Sequence, residues 1–455
     1  MTKCIRIGNG CGFWGDNLDA PVFLAQQAPL DYLTLEYLAE LTMSILALQK
    51  QRDPQAGFAT DFLDVLARLS PALEAQARLK IITNAGGMNP LACAAAVRTM
   101  LNRAGMPDRR IATVTGDDLL PRLDSLLAAD HPFTNLDTRE PLSTIRSRVV
   151  SANAYLGAGP IVDALRQGAS IVITGRVADA SLTLAPAVHE FGWRWDDWDR
   201  LAAGTVAGHI IECGAQATGG LWCNWPEIPD FANVGYPIAE IDSEGTFRIT
   251  KPASTGGRVN RETVTEQLLY EIGDPAAYLT PDVIADFTSF TLDEVGPDVV
   301  SIQRCRGRPP TDTYKVSIAY RYGFMAAGTL TIFGPRAVAK ARKAGEMIFQ
   351  RLERIGIKPE DTQIECLGVG DCVPGVVPAT AEPPEVVLRI GVRDARKEVV
   401  ERFTKEFAPL VTSGPAGVTG YTTGRPPVRE VFAYWPALLA KSAVGPKVEI
   451  LSRQA

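Results

Sequence analysis

The chain reads LKIITNAGGMNP at residues 79–90, and this stretch decides the fold class. A short strand pattern leads into a small polar turn, which ends in Asn89 and Pro90. Asparagine caps the first turn of a helix and proline suits the first helical position. The helical pattern that follows stops at Gly105, a typical C-terminal residue. Strand, turn and helix in this order are the unit of a parallel sheet covered by helices.

The same alternation recurs through the first half of the chain. A helix is bracketed by Pro160 and Gly168, and another follows near Asp179, with Pro186 expected to kink or divide it. We therefore predict an α/β fold whose N-terminal sheet is mostly parallel. A barrel-like N-terminal domain is the alternative, although a barrel needs eight strands. Six strands are predicted, at residues 3–7, 32–37, 79–83, 110–114, 148–152 and 170–174.

The character of the sequence changes after residue 213. Residues 214–235 are rich in Gly, Trp, Pro and Asn and indicate a loop or domain boundary. We expect an α/β domain over residues 1–213 and an α+β domain over residues 236–455. Beyond the loop, strands are predicted at residues 238–241, 246–249, 299–304, 314–321, 326–333, 363–369, 386–392, 428–434 and 447–451, and helices at residues 336–355 and 396–407.

Composition excludes several classes of partner. The 455 residues carry 46 Lys and Arg against 52 Asp and Glu, a net charge of −6, which argues against nucleic acid binding. No apolar run approaches the roughly 20 residues of a membrane-spanning helix. The eight cysteines are scattered, which predicts reduced thiols, and three histidines are too few for a His-rich zinc site. We expect a cytoplasmic homo-oligomer with a small-molecule substrate and no membrane partner.

Candidate binding residues follow the predicted strands, whose carboxyl ends meet at one edge of the sheet. The Gly-Gly turn would offer backbone amides to an anion at a helix N-terminus, or would simply be a capped turn. Arg176 suits a bidentate grip on a carboxylate or phosphate, or an ion pair with Asp179. The predicted substrate-binding residues are Asn9, Asn84, Gly86, Gly87, Asn89, Arg176 and Ser181.

Carboxylates at the same strand ends are candidates for acid–base chemistry. Glu36 ends an apolar strand, where partial desolvation would raise its pKa toward that of a general base; a salt bridge is the alternative. Asp179 is a candidate second acid. Asp16 and Asp117 are candidate ligands for Mg²⁺ or another divalent cation, the one cofactor these side chains suit, although Asp117 also suits a helix cap. No cofactor is otherwise indicated.

Two further motifs carry reactive side chains. Cys11, in a glycine-flanked loop, is a candidate nucleophile, whereas a buried packing cysteine is the alternative. His209 and Glu212 have helical spacing that puts both on one face. They suit an acid–base pair or a metal edge, and the structural interpretation is preferred.

Four segments resemble one known family. They are residues 7–16 (IGNGCGFWGD), 30–40 (LDYLTLEYLAE), 84–90 (NAGGMNP) and 173–181 (ITGRVADAS). The chain resembles the acyclic terpene utilisation AtuA family over most of its length. The resemblance implies a place in the catabolism of acyclic terpenes and branched acids, where intermediates are acyl-CoA esters. It also implies cleavage or hydration of a compound like 3-hydroxyglutaryl-CoA. It assigns no role to individual residues.

We therefore expect a catabolic lyase or hydratase that acts on a carboxylated branched acyl-CoA or a related small acid. Two alternatives stay open. One is a hydrolase with a cysteine nucleophile. The other is a non-catalytic subunit that binds acyl-CoA or assembles into a complex.

Overall fold

The structure is a computed structural model that describes residues 3–376, 382–420 and 424–451. It divides into two compact units. The first comprises the described residues up to Ala319 together with those from Tyr434 onward. The second comprises the described residues of Tyr320–Ala433.

Nineteen strands are found in the described residues. In chain order they are β1 (Cys4–Asn9), β2 (Tyr32–Leu35), β3 (Lys80–Thr83), β4 (Ile111–Thr115), β5 (Val149–Ala154), β6 (Ile171–Thr174), β7 (Ile238–Asp242), β8 (Phe247–Thr250), β9 (Tyr278–Leu279), β10 (Ile284–Asp286), β11 (Thr291–Gly296), β12 (Val299–Gln303), β13 (Arg306–Arg308), β14 (Thr313–Phe333), β15 (Asp361–Leu367), β16 (Glu385–Asp394), β17 (Val418–Thr419), β18 (Arg429–Ala440) and β19 (Lys447–Ile450).

The same ranges hold twelve α-helices. They are α1 (Ala20–Gln27), α2 (Glu40–Arg52), α3 (Asp61–Ala75), α4 (Pro90–Arg103), α5 (Leu123–Ala128), α6 (Gly159–Arg166), α7 (Ser181–Phe191), α8 (Trp198–Ile211), α9 (Arg261–Leu269), α10 (Ala337–Arg354), α11 (Lys397–Thr404) and α12 (Leu410–Ser413). None of these helices combines the length and hydrophobicity needed to cross a bilayer.

A ten-stranded sheet organises the first unit, in the order β11-β12-β8-β7-β1-β2-β3-β6-β4-β19. The five central strands, β1, β2, β3, β6 and β4, are parallel, and the outer strands are antiparallel. Ile81 and Ile171 pack into one core with α1, α3 and α4. The alternate residues Ile82 and Val172 are equally buried on the opposite face. The predicted α/β fold is confirmed, and the described residues form no closed barrel.

Helix α4 begins as predicted. The Asn89 side chain accepts a hydrogen bond from the Ala92 amide, 3.4 Å away, and Pro90 is the first helical residue. Pro186 was predicted to kink or divide its helix. It does not divide the helix, because α7 continues through it without a break.

Three features of the first unit differ from the sequence prediction. Strand β5 forms but pairs with β14 outside the ten-stranded sheet, so that the parallel sheet has five strands, not six. Residues 214–235 contain three short 3-10 helices, and β7, just beyond them, pairs with β1 in the same sheet. The C-terminal strand β19 pairs with β4. These are long-range pairings, which local hydrophobic patterning does not encode.

The second unit is built on antiparallel pairing of β15 with β16 and of β16 with β14. Two strands were predicted at 314–321 and 326–333, but a single strand, β14, covers both. Helix α10 buries Ala341, Ala344, Ile348 and Leu352 in a core with β16 and α11.

Candidate active site

Two cavities of the first unit share one wall. The first cavity, about 400 Å³, is lined by Tyr155, His209, Tyr278 and Lys315 among others. The second cavity, about 520 Å³, is lined by residues that include Gly12, Asp16, Glu36 and Cys213. The five residues that line both cavities are Glu40, Arg176, Asp179, Glu212 and Glu271. One cation and four carboxyl groups thus form the shared wall.

Arg176 is the cation of the shared wall, and it follows the fully buried strand β6. Its Nη1 donates to Asp179 Oδ1 at 2.6 Å and to the Leu38 carbonyl at 3.1 Å. The guanidinium also lies over the Tyr155 ring, 4.2 Å from its centroid. Burial alone would lower the pKa of Arg176, but Asp179, Tyr155 and nearby glutamates raise it well above its usual range. Arg176 therefore stays charged.

Glu36 follows β2 and lies beside Arg176. Its Oε1 accepts hydrogen bonds from the Asn84 side-chain amide and from the Leu38 amide, and lies 3.7 Å from Arg176 Nη1. Its Oε2 is buried without a hydrogen-bond partner. Burial and the charge of Asp179 raise the pKa of Glu36 well above its usual range, although Arg176 and Asn84 oppose this. Glu36 was predicted to be a general base or, alternatively, a member of a salt bridge. Its surroundings are compatible with both roles.

Glu212 is a second buried carboxyl group, just past the end of α8. Its Oε1 lies 3.2 Å from His209 Nδ1, and its Oε2 is buried without a hydrogen-bond partner. Burial, with the charges of Asp179 and Glu271, raises the pKa of Glu212 well above its usual range. Burial also lowers the pKa of His209 to about 4, so this imidazole is neutral at pH 7.

Glu40 differs from Glu36 and Glu212 because it is held ionised. It begins α2 and accepts hydrogen bonds from the Tyr155 hydroxyl at 2.5 Å and from Lys315 Nζ at 3.3 Å. Burial would raise the pKa of Glu40, but Tyr155, Arg176 and Lys315 together hold it at about 2. The shared wall therefore contains one carboxyl group with a lowered pKa, that of Glu40, and one with a raised pKa, that of Glu212.

Two residues at the rim of the second cavity have unusual backbones. Leu221 and Glu271 adopt φ values of 62° and 56°, in the left-handed region that side chains other than glycine, asparagine and aspartate rarely occupy. Such strain is concentrated at functional sites. The strain is consistent with a functional second cavity.

Asp117 holds the loop that carries Arg176 and lies outside both cavities. Its Oδ2 accepts from the Arg176 amide and from the Asn153 side chain, both at 2.9 Å. Burial raises the pKa of Asp117 to about 6. Gly175 lies so close that an added Cβ would be 2.4 Å from Asp117 Oδ1.

The structure does not bring together the predicted metal ligands. Asp16 lines the second cavity, but its carboxylate already accepts from the Tyr236 hydroxyl and the Gly12 and Asn17 amides, whereas Asp117 is buried beneath the Arg176 loop. Nowhere in residues 3–376, 382–420 and 424–451 do three or more His, Cys, Asp or Glu side chains group so as to hold a metal ion. The residues present do not fit the expected Mg²⁺ site.

The Gly-Gly turn does not line either cavity. The amides of residues 85 and 87–89 donate to Thr83 Oγ1, Asn84 O, Gly57 O and Gly86 O respectively. An added Cβ at Gly86 would lie 2.5 Å from the Thr174 carbonyl, and Gly87 has a φ of 49°. These amides are used within the fold, so the turn is a capped βα connection, which was the alternative interpretation.

Three other predicted binding residues support the site from outside the cavities. Asn84 donates to Glu36 and accepts from the Tyr37 amide. The Asn9 side chain donates to the Glu212 carbonyl at 2.8 Å and so fixes the backbone of that residue. Ser181 donates to Asp282 at 3.2 Å.

Cys11 is buried, and its thiol donates to the Phe13 carbonyl at 3.2 Å. Burial and the charge of Asp16 raise the pKa of this thiol well above its usual range. A thiol that resists ionisation is a poor nucleophile, so its environment favours the packing alternative.

Sequence reasoning gave too little weight to Glu212 and omitted Glu40, Glu271, Tyr278 and Lys315 from the site. The three-residue spacing of His209 and Glu212 was the available signal for Glu212. For Lys315 there was none, because it reaches the site through the pairing of β14 with β5.

A search of curated proteins and a search of solved structures found no match. A family model described as "Acyclic terpene utilisation family protein AtuA" matches residues 5–450. This match spans the shared wall, both cavities and the ten-stranded sheet. The chain belongs to the acyclic terpene utilisation AtuA family, and with it to proteins involved in the use of acyclic terpenes.

Proposed function

We propose that this protein is a cytoplasmic lyase or hydratase that acts on a carboxylated branched acyl-CoA, such as a 3-hydroxyglutaryl-CoA-like ester, by general acid–base catalysis. One observation carries the proposal. Glu36 and Glu212 line the same cavity, each has one buried carboxyl oxygen without a hydrogen-bond partner, and burial raises the pKa of both. Buried carboxyl groups with a raised pKa are suited to general acid–base catalysis.

Both reaction types need one group that takes a proton and one that gives a proton. In dehydration, a base removes the proton from Cα, the double bond forms, and an acid protonates the departing β-hydroxyl, which leaves as water. In carbon–carbon cleavage, a base takes the proton of the 3-hydroxyl, the Cα–Cβ bond breaks to give a ketone and an enolate, and an acid protonates the enolate carbon. Either reaction therefore needs a base and an acid, and two carboxyl groups in opposite protonation states can fill these roles.

The surroundings of the two carboxyl groups support a different role for each. We assign Glu36 as the base, because Arg176 lies 3.7 Å from it and favours its carboxylate form against the effect of burial. Glu212 faces the neutral imidazole of His209 and is the acid.

The first cavity provides the substrate contacts. Arg176 and Lys315 line it and flank the Tyr155 ring, with Lys315 Nζ 4.7 Å from the ring centroid. We assign them to a carboxylate of the substrate. Leu136, Leu279 and Leu438 line the same cavity and suit a branched alkyl chain.

The test is incubation of the purified protein with a panel of branched 3-hydroxyglutaryl-CoA and enoyl-CoA esters, followed by LC–MS, with Mg²⁺ and with EDTA. We expect either a mass change of one water or cleavage of the ester into acetyl-CoA and a keto acid. Glu212→Gln should abolish it, while Glu74→Gln, an exposed glutamate on α3, should not. No product on any ester would remove acyl-CoA chemistry. Ligand-induced thermal stabilisation without turnover would instead identify a binding subunit.

A further inference from the structure

Glu212, the acid of the proposed mechanism, lies next to His209, whose single N–H is already used in a hydrogen bond. His209 is 1% exposed on α8, and its Nε2 lies 3.1 Å from the Gln267 carbonyl oxygen. A carbonyl only accepts, so Nε2 must carry the hydrogen. A neutral imidazole has a single N–H, which leaves Nδ1 as a lone pair.

This lone pair lies 3.2 Å from Glu212 Oε1. Two acceptors at that distance repel one another unless a proton lies between them. Within the described part of the chain, His209 Nδ1 is buried and has no hydrogen-bond partner, and Glu212 Oε1 is its close polar contact. A proton on the Glu212 carboxyl group would remove this repulsion, because the O–H could then donate to Nδ1.

We propose that His209 is a positioning residue that keeps Glu212 in the protonated state by accepting a hydrogen bond from its carboxyl group. The inference rests on the proposed function for its catalytic meaning, but the protonation state is a property of the protein without substrate.

The contacts of the His209 imidazole hold its ring in the orientation that places Nε2 at Gln267 and Nδ1 at Glu212. Gln267 also donates from its side chain to the His209 carbonyl at 3.2 Å, so α8 and α9 are linked at this residue in both directions. The rings of Tyr278 and Phe287 each lie 5.3 Å from the imidazole, centroid to centroid. A ring flip would exchange the N–H and the lone pair and would lose the Gln267 hydrogen bond.

The charges around the pair favour a neutral carboxyl group over an ion pair. Asp179 and Glu271 act on both His209 and Glu212, while Arg176 acts on Glu212. Cys213 and Tyr278 are uncharged at neutral pH, since burial raises the pKa of both. Two carboxylates against one guanidinium disfavour a negative charge at Glu212; they also favour a charged His209, but burial, the largest influence on both groups, disfavours both members of an ion pair.

The experiment is infrared spectroscopy of the substrate-free protein across pH 5–9, with Glu212→Gln as the subtraction reference. We expect the carbonyl stretch of a protonated carboxyl group, present in the wild type at pH 7 and absent from Glu212→Gln. Glu36→Gln is the matched control, because it must leave the Glu212 signal in place.

His209→Gln then separates positioning from packing. Its side-chain amide can donate to Glu212, so the titration of Glu212 should move at least tenfold in proton concentration toward acid. A wild type whose Glu212 is ionised at pH 7 would overturn the proposal, as would a folded His209→Gln protein with an unchanged titration. Loss of turnover on the acyl-CoA panel, with the infrared result intact, would remove the proposed function alone.

Discussion

Arg176 Nη1 and Asp179 Oδ1 form a 2.6 Å ion pair in the wall that the two cavities share. The pair is asymmetric, because the Arg176 side chain is 4% exposed and that of Asp179 is 33% exposed. The cation is therefore enclosed in protein, while its carboxylate partner retains contact with solvent. Any ligand that enters either cavity meets this pair.

Replacement of the enclosed cation should be costly. Arg176→Gln leaves Glu36 and Asp179 without their counter-ion, and breaking a buried pair in this way costs on the order of 3–5 kcal/mol. Urea unfolding should show a midpoint clearly below that of the wild type. The control is Arg194→Gln, which breaks the exposed pair with Asp196. Equal midpoints for the two variants would contradict the enclosed arrangement.

Glu36→Gln should separate catalysis from stability. The amide keeps an oxygen that can accept from the Leu38 amide, so the fold is retained, but it cannot carry a proton at neutral pH. General acid–base catalysis contributes typically 10²–10⁴-fold, and kcat should fall by about that factor with little change in KM. Steady-state kinetics on the active ester will decide. A full-rate variant would show that Glu36 is not the base.

The pH dependence of stability should carry the signature of Asp117. Burial raises its pKa to about 6, so the folded state holds this proton more tightly than the unfolded chain does. The contribution is fully present below the pKa of the unfolded chain, near 4, and is lost as pH rises through about 6. A tenfold change in proton affinity is worth about 1.4 kcal/mol, which makes the total roughly 3 kcal/mol.

Comparison with Asp117→Asn separates the contribution of Asp117 to the free energy of unfolding from the contributions of other titrating groups. The free energy of unfolding of the wild type, minus that of the variant, should decrease between pH 4 and pH 6 and level off above. A difference that stays constant or rises with pH would show that Asp117 is ionised in the folded protein.

Gly175→Ala tests the packing beneath the Arg176 loop. The new Cβ would lie 2.4 Å from Asp117 Oδ1, so the loop or the carboxyl group must shift. We expect destabilisation of about 1–3 kcal/mol, the usual effect of overpacking a close contact. Gly159→Ala at the start of α6 is the matched control, since its nearest neighbour would be Trp195 at 4.0 Å. A lower thermal midpoint only in Gly175→Ala is the expected result.

Much of the parallel sheet could be predicted because its information is local. Each strand is a short apolar run. The adjacent residues Asn89 and Pro90 mark the start of α4. Similarly, Glu36 and Arg176 could be identified because each directly follows a buried strand.

The remaining site residues depend on contacts that a local pattern does not encode. Tyr155 meets Glu40 across 115 positions of sequence, and Lys315 meets Glu40 across 275. Gly86 and Gly87 were predicted to form a binding turn because glycine lets a ligand approach the backbone. Glycine also allows close packing of the backbone within the fold, and the sequence alone does not distinguish the two. Only the three-dimensional neighbours, here the Thr174 carbonyl and the Leu46 side chain, distinguish the two.

The pairing of β19 with β4 determines when the first unit can complete its sheet. Thr113 and Glu449 face each other across this pair, 336 positions apart. A chain emerging from the ribosome therefore exposes the outer edge of β4 until β19 has been synthesised. Unpaired strand edges of this kind invite association with other chains, so chains that lack β19, nascent or truncated, are prone to associate through β4.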